Sequence, residues 1–235
     1  RSKNRVKVGN EGVLVQLEQY YDEPWKFRSA AYRLPVMVMH PELTNAEELV
    51  PIKAQFEQME TLVARSDFPN NNVLDFIDAE SVADYFLANM LTDNRELNHP
   101  KSTFMHKTKT GKWSMGPIWD FDWAYAYEKT QRHFSTFDQP MLWSPASDGT
   151  RFFSKLMAVP AVKTAMKQKW ADFKTQKLPE LLAYVDDYAL KIEDARARDY
   201  QKWKRGNLDF KNDVVTLKLW LKNRAVYMDE FIGRL

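Results

Sequence analysis

The chain has 235 residues, of which 44% are hydrophobic, 14% aromatic and 28% charged, a composition typical of globular proteins and not of disordered or fibrous ones. Its 34 Lys and Arg nearly balance its 32 Asp and Glu, so the net charge of +2 gives no reason to expect nucleic acid or an anionic membrane as a partner. The absence of cysteine excludes disulfides, thiolate zinc sites and cysteine nucleophiles, and no apolar run approaches the roughly 18 residues of a transmembrane helix. The length leads us to expect a single domain over residues 1–235.

The first half of the chain is predicted to contain short strands followed by two helices. Alternating apolar residues predict a strand within residues 12–21, and a proline-bounded apolar run favours a second extended segment at 34–41. After Thr44 the apolar residues recur at steps of three and four, and Thr44 with Glu47 has the spacing of a capping box. A second helix is expected over residues 78–91, which carry one apolar stripe.

The second half is predicted to contain a loop, a hairpin and three long helices. Residues 93–102 have no periodicity and indicate an irregular loop, and two short strands after it turn at Thr110 and Gly111. Helical periods run over residues 151–175, 178–205 and 212–232. Gly206 and Gly233 are placed to act as C-terminal caps of the last two helices.

The stretch GPIWDFDWAYAY, residues 116–127, is the most unusual in the chain. It contains two acids, Asp120 and Asp122, and three large aromatics, Trp119, Phe121 and Trp123. In an extended segment alternate side chains face the same way, so the acids are expected on one face and the aromatics, as an anchor, on the other. The Cα atoms of the two acids would be roughly 6.6 Å apart, which suits carboxylate ligands of a hard cation such as magnesium. The alternative is an edge strand whose acids are solvated or paired with Lys and Arg.

A candidate catalytic loop precedes this acidic motif. Loop 93–102 carries Glu96, Asn98, His99 and Lys101, and only the tight hairpin separates it from the two acids. Protein-kinase-type phosphotransferases use the same order of a helix, a loop with a carboxylate, a short hairpin and a metal-binding Asp. A hairpin of this length can fold back and bring the loop and the acids to one cleft. The few histidines include no H-x-x-x-H pair, so a zinc site is not expected.

Four stretches resemble the CotH-like kinases, a family named after a bacterial spore-coat protein and regarded as atypical relatives of protein kinases. They are RVKVGNEGVLVQLEQYYDEPWKF (5–27), NRELNHPKSTFMHKTKTGKWSMGPIWDFDWAYAY (94–127), RFFSKLMAVPAVKTAMKQKW (151–170) and VVTLKLWLKNRAVYMDEF (214–231). The most specific feature is the coupling of the N-x-E loop to W-D-F-D-W through the hairpin. The resemblance implies an α+β, mainly α fold, similar to the helical C-terminal lobe of a protein kinase with a small β-sheet and a β-hairpin. It also implies that the N-terminal lobe lies upstream of Arg1 and is absent from this chain.

For the intact parent protein, the resemblance further implies an enzyme that uses ATP and magnesium to phosphorylate Ser or Thr of a protein substrate. This lobe alone is expected to bind nucleotide weakly or not at all. Asp120 would be the metal ligand that holds the nucleotide phosphates, with Asp122 as a second ligand or orienting group. Glu96 falls where many members have the catalytic Asp, which accepts or positions the proton of the attacking hydroxyl. Lys101 stands in place of the Asn that ordinary kinases use for a second metal and would contact a phosphate instead. Glu18, on the strand that joins the two lobes, is the other expected cofactor-binding residue.

Two other classes of function are compatible with the sequence. The resemblance also implies exported or cell-surface bacterial proteins, some of them carbohydrate-associated, and a non-catalytic kinase-like binding or scaffolding module with a polysaccharide partner fits that setting. Flat aromatics can line a sugar-binding groove, although Trp170, Trp203 and Trp220 fall on helical stripes and are expected in the core. A glycoside hydrolase would need two carboxylates roughly 5 to 9.5 Å apart across a cleft, and Asp120 with Glu96 is the candidate pair.

Overall fold

The computed structural model describes residues 6–127, 133–204, 206 and 208–235. Its described part contains the strands β1 (Val13–Leu17), β2 (Lys26–Arg28), β3 (Pro35–His40), β4 (Thr103–Lys107) and β5 (Ser114–Met115). The helices are α1 (Ala46–Ala64), α2 (Ala79–Leu91), α3 (Asp148–Ala158), α4 (Pro160–Asp172), α5 (Leu178–Trp203) and α6 (Phe210–Gly233). The predicted fold class, α+β and mainly α, is confirmed. No helix in this part of the chain combines the length and the apolar character that a membrane span requires.

The strands form one antiparallel sheet with the order β2-β3-β1-β4-β5. The central strand β1 buries four of its five side chains, Val13, Leu14, Val15 and Leu17. It pairs with β4 so that Leu17 lies opposite Thr103. In an antiparallel pair the next residue of one strand faces the previous residue of the other, so this register places Glu18 beside Ser102. The first strand is thereby brought against the end of loop 93–102.

Helices α1 and α2 occupy the predicted segments, with one correction at the start of α1. Asn45 is the N-cap, and its side chain accepts a hydrogen bond from the backbone N–H of Glu48 (3.1 Å). Glu48 in turn accepts a hydrogen bond from the N–H of Thr44 (2.7 Å). The predicted capping box at Thr44 and Glu47 is therefore wrong by one residue, because Asn is as good a cap as Thr and lies one position later. Helix α2 begins after its N-cap Asp78, as predicted.

The predicted helix at 151–175 is interrupted at Pro160. Helix α3 ends at Ala158 and α4 begins at Pro160, with Val159 between them at ψ 125°. Proline has no N–H to donate and disfavours helical geometry in the residue before it, so one continuous helix cannot pass this point. Pro160 instead occupies the first turn of α4, where its missing N–H costs little.

The ends of α5 and α6 and one tryptophan also differ from the prediction. Lys204, at φ 53°, is the left-handed cap of α5, so Gly206 does not have that role. Gly233 is the last residue of α6 itself, and Arg234 follows it as the cap. Trp203 is 60% exposed and lies outside the core, whereas the other two tryptophans expected in the core are buried there: Trp170 and Trp220.

The hydrophobic core lies between the sheet and helices α1, α2, α3, α4 and α6. Every residue of α5 is described, and none is buried. This helix packs on the core through partly buried side chains only, among them Leu181, Leu182 and Val185. The core therefore leaves α5 at the periphery.

Candidate active site

Loop 93–102 is held at its start by a buried ion-pair cluster. Asp93 is fully buried and pairs with Arg95 (2.6 Å) and with Arg224 of α6 (3.4 Å). Arg224 is also fully buried and donates hydrogen bonds to three backbone carbonyls, those of Met90, Phe137 and Gln139. Because a guanidinium offers five N–H donors in a rigid fork, this one side chain ties α6 to the end of α2, to the loop and to the segment that follows the acidic motif.

The middle of the loop is held by Asn98, which is buried. Its Oδ1 accepts hydrogen bonds from the N–H of Trp143 (2.9 Å), the N–H of Ser144 (3.1 Å) and the hydroxyl of Thr150 (2.6 Å). Its Nδ2 donates to two backbone carbonyls, those of Arg95 (2.7 Å) and Met141 (2.8 Å). The amide has used its donors and acceptors within the fold, so Asn98 positions the loop.

Glu96 lies between these two fixed points and lines a cleft. Its side chain is 8% exposed, and its Oε1 atom has no hydrogen-bond partner among the described residues. The Nζ of Lys101 lies 3.8 Å from that oxygen, which is too long for a hydrogen bond. Burial raises the pKa of Glu96 to about 7, and Lys101 opposes this rise. The charges of Asp120, Asp122 and Glu18 add to it, so the fold brings the four predicted acids within electrostatic reach of one another.

Lys101 lies between two aromatic rings. Its Nζ is 5.0 Å from the ring centre of Tyr20 and 5.0 Å from the ring centre of Trp123, within the range of a cation–π interaction. Burial opposes the charged form, but Glu96 and Tyr20 outweigh it and raise the pKa of Lys101. The ammonium therefore stays charged at neutral pH and lies beside the Glu96 carboxylate.

The acidic motif does not form the predicted strand, although all of residues 116–127 are described. Its first half has no regular structure, its second half forms turns, and Asp120 has φ 60°. The N–H of Tyr125 donates to the carbonyl of Thr92, so the segment folds back onto the end of α2 instead of extending along the sheet. The period-two alternation is therefore wrong for this motif. Asp120 and Asp122 are both exposed.

The three aromatics of the motif do not act together as an anchor. Trp119 contacts Phe104 of β4, with ring centres 6.4 Å apart. Trp123 is 45% exposed and contacts Tyr127 at 5.4 Å, and Phe121 lines an apolar groove beside α5. The buried residues of the motif are small: Gly116 at its start, and Ala124 and Ala126 in the turns. The motif is thus attached to the core through Ala126, through Tyr125, which packs against the core, and through backbone hydrogen bonds.

Ser102 is a site residue that sequence reasoning missed. It is 5% exposed, its N–H donates to Glu18 Oε2 (3.1 Å), and its hydroxyl donates to Asp120 Oδ2 (3.3 Å). Glu18, also 5% exposed, accepts further hydrogen bonds from the N–H of Tyr20 (3.1 Å) and from Gln16 Nε2 (3.2 Å). No local sequence signal links positions 18 and 102, since the antiparallel register of β1 and β4 brings them together.

The cleft beside Glu96 has a volume of about 500 Å³. Its lining includes Glu96, His99, Lys101, Trp123, Tyr127 and Trp143. Trp143 is 54% exposed, and sequence reasoning missed it because nothing local connects it to a loop some forty residues earlier. Exposed tryptophans that line a cleft are typical of ligand-binding surfaces. The cleft therefore contains both the carboxylate of Glu96 and exposed aromatic rings against which a ligand can pack.

The carboxylates of this site could bind magnesium with only one or two ligands supplied by the protein. Among the described residues, no three His, Asp or Glu side chains are grouped to hold a metal ion. Magnesium usually keeps several waters and binds proteins through one or two carboxylates together with substrate phosphates. Asp120 and Asp122 are exposed carboxylates close enough to Glu96 to raise its pKa, so they fit a cation whose remaining ligands come from water and phosphate.

Comparison with known families gives one match. A family model described as CotH kinase protein matches residues 15–228 of the 235-residue chain. We find no match among curated proteins or among solved structures. The matched region contains the last three residues of β1, loop 93–102, the hairpin, the acidic motif and most of α6. The chain belongs to the CotH kinase family.

Proposed function

We propose that this domain transfers the γ-phosphoryl group of ATP to a Ser or Thr hydroxyl of a protein substrate, with magnesium. The observation that carries the proposal is Glu96, a buried carboxylate with one oxygen that accepts no hydrogen bond from the described residues, a pKa of about 7 and a position on a cleft. A general base is most effective when its pKa lies near the working pH. A strongly shifted carboxyl in a cleft is a typical property of catalytic groups.

In the proposed reaction Glu96 accepts the proton of the acceptor hydroxyl as its oxygen attacks the γ-phosphorus. Magnesium-bound ATP, when present, supplies the phosphoryl group, and ADP leaves as the bond to the bridging oxygen breaks. Asp120 and Asp122 would hold the magnesium. Lys101, fixed between Tyr20 and Trp123, supplies positive charge beside Glu96, where a phosphate oxygen can reach it. Glu96 is one methylene longer than the Asp common in the family, and it reaches the cleft from a loop that Asp93 and Asn98 hold in place.

The proposal is tested by magnesium-dependent nucleotide binding to the 235-residue chain. We expect ATP with magnesium, at concentrations high enough to reveal weak binding, to raise the thermal midpoint, and Asp120→Asn to abolish this rise because the cation loses a charged ligand. Asp187→Asn, an exposed acid on α5, is the matched control and should behave as wild type. An equal rise in the Asp120→Asn variant would contradict the proposal.

A second candidate function, a binding module for polysaccharide, is favoured by the exposed rings of Trp123 and Trp143 in the same cleft. Tryptophan presents a large flat surface with one polar edge, which suits the apolar face of a sugar. A thermal shift with soluble polysaccharide that is lost in Trp143→Ala, together with none for ATP and magnesium, would support this function over the kinase.

A further inference from the structure

The end of β1, the start of β4 and the acidic motif meet at one chain of hydrogen bonds. We propose that Glu18 positions the carboxylate of Asp120 through Ser102, and that Glu18 is a positioning residue and not a contact to nucleotide. The effect on cation binding rests on the proposed function, in which Asp120 is a magnesium ligand. The positioning itself rests on the geometry.

The carboxylate of Glu18 is occupied within the fold. Its Oε2 accepts hydrogen bonds from the N–H of Ser102 (3.1 Å) and from Gln16 Nε2 (3.2 Å), and its Oε1 accepts one from the N–H of Tyr20 (3.1 Å). The residue is 5% exposed. A buried carboxylate that accepts three hydrogen bonds is satisfied by the protein, so it orients its donors and leaves little capacity for a ligand.

Ser102 is the link between Glu18 and the acidic motif. Its backbone lies in the left-handed region at φ 48°, which a residue with a Cβ rarely adopts. The hydrogen bond from its N–H to Glu18 is one contact that holds this conformation. The same conformation directs the hydroxyl toward Asp120, whose Oδ2 accepts it at 3.3 Å.

Asp120 needs such support because its own surroundings do not fix it. It also has a left-handed backbone, at φ 60°, in a part of the motif without regular structure, and its side chain is exposed. Within residues 6–127, 133–204, 206 and 208–235, the only hydrogen bond to the Asp120 carboxylate comes from the Ser102 hydroxyl. It engages Oδ2 and leaves Oδ1 for a cation. Partners that hydrogen-bond a ligating carboxylate typically change metal affinity about 10- to 100-fold when removed.

The test measures binding of Mn²⁺ alone to the full chain, by titration calorimetry or by the electron spin resonance of free Mn²⁺, beside thermal unfolding. Ser102→Gly removes the hydroxyl but suits a positive φ, so we expect the unfolding midpoint to stay within about 3 °C of wild type while the Kd for Mn²⁺ rises about tenfold. Ser114→Ala is the matched control, because the Ser114 hydroxyl donates to a carboxylate elsewhere, Asp78 Oδ2, at 3.2 Å. A merely structural serine would lower the midpoint and leave Kd unchanged.

A second arm tests whether Glu18 acts through Ser102. An amide offers one acceptor oxygen instead of two, so Glu18→Gln should weaken Mn²⁺ binding to a similar extent. The double variant Glu18→Gln, Ser102→Gly should bind no more weakly than the weaker single variant, because both changes cut the same chain of contacts. Additive losses, or wild-type Kd in Ser102→Gly, would overturn the positioning proposal and leave the proposed function standing.

Failure of the proposed function itself gives a different pattern. If the wild-type chain binds no Mn²⁺, or if Asp120→Asn binds it unchanged, Asp120 is not a cation ligand. The positioning claim is then decided by the free energy of unfolding in urea of Ser102→Ala, Asp120→Ala and the double variant. Non-additive effects support the link between the two residues, and additive effects refute it.

Discussion

At the scale of single residues, Glu96 is a carboxyl group whose burial makes its ionised form unfavourable. A buried carboxylate oxygen without a hydrogen-bond donor disfavours the ionised form, and Glu96 Oε1 is in that position. Lys101 lies too far away for a hydrogen bond and only partly offsets the effect. The same feature that makes Glu96 a costly residue for stability makes it a proton acceptor near neutral pH.

The free-energy cost of ionising the buried Glu96 predicts that the free energy of unfolding depends on pH. The folded protein keeps the Glu96 proton up to pH about 7, whereas the unfolded chain releases it near 4.5, so the folded state binds more protons between these values. The free energy of unfolding therefore falls as the pH rises from about 4.5 to about 7. One pKa unit corresponds to about 1.4 kcal/mol, and with a discount for solvent screening the fall is on the order of 2 kcal/mol.

Urea unfolding at pH 5 and pH 8 checks this prediction. Glu96→Gln should remove the fall and be more stable than wild type at pH 8, because it carries no charge to bury. Glu57→Gln is the control, since Glu57 has an equally long ion pair with Lys53, at 3.8 Å on α1. An unchanged pH dependence in Glu96→Gln would contradict the assigned pKa.

At the scale of elements, the first turn of α3 packs directly against the backbone of the candidate catalytic loop, residues 93–102. Gly149 lies against the backbone of the loop, and a Cβ placed there would be 2.0 Å from the carbonyl oxygen of Leu97 and 2.7 Å from that of Asn98. Backbone atoms cannot move aside as a flexible side chain can. Only glycine therefore lets α3 approach the loop this closely.

Gly149→Ala should accordingly lower the free energy of unfolding by about 1 to 3 kcal/mol, the usual cost of overpacking, and should displace the loop that carries Glu96. Gly233→Ala is the matched control, because no described atom beyond its chain neighbours and its own helix backbone lies within 4 Å of its Cβ position. Alanine there should be neutral or stabilise by about 0.5 kcal/mol. Equal effects of the two substitutions in urea unfolding would refute this packing argument.

The link from α6 to the loop predicts a larger effect. Arg224→Ala leaves the buried Asp93 with one cationic partner fewer and leaves three backbone carbonyls without their hydrogen-bond donor. We therefore expect a loss of about 3 to 5 kcal/mol in the free energy of unfolding. Arg65→Ala removes an exposed ion pair with Asp67, at 2.6 Å compared with 3.4 Å between Arg224 and Asp93, and should cost less than about 1 kcal/mol. Similar losses for both variants, measured in urea, would show that burial does not govern the contribution of Arg224.

At the scale of the whole molecule, α5 stands apart from the cooperative core. It has 26 residues and buries none of them, and Tyr184 and Tyr188 of this helix are 56% and 48% exposed. An apolar groove of about 610 Å³ runs between α5, the ends of α2 and α6, and Phe121 of the acidic motif. The helix therefore rests on partly buried contacts, and its local stability is expected to be lower than that of the core helices.

Hydrogen exchange of the native chain measures this difference. Amides of α5 should exchange faster than those of α6, a helix of similar length that buries Trp220, Leu221 and Met228, because opening free energies follow buried contacts. Helix α2 provides a second well-buried reference. Equal protection of α5 and α6 would show that the peripheral helix unfolds only with the core.

The sequence by itself determined the elements whose signals are local. Neighbouring residues are enough to indicate the apolar period of α2, the hairpin at Thr110 and Gly111, and the order of loop, hairpin and acids. These features are predicted correctly. At Pro160 one local rule failed because a stronger local rule was present: one proline divides a predicted helix in two.

The tertiary structure alone decided how the candidate site is built. The acidic motif looked like a strand because its residues alternate, but its backbone hydrogen bond to the end of α2 folds it into turns and separates its aromatics. The contact between Glu18 and Ser102 spans 84 positions and exists because β1 pairs with β4 in one register. The raised pKa of Glu96 depends on burial and on acids that are distant in the chain. Residue types and their order are carried by the sequence, whereas burial, register and the distances between charges arise only when the chain is folded.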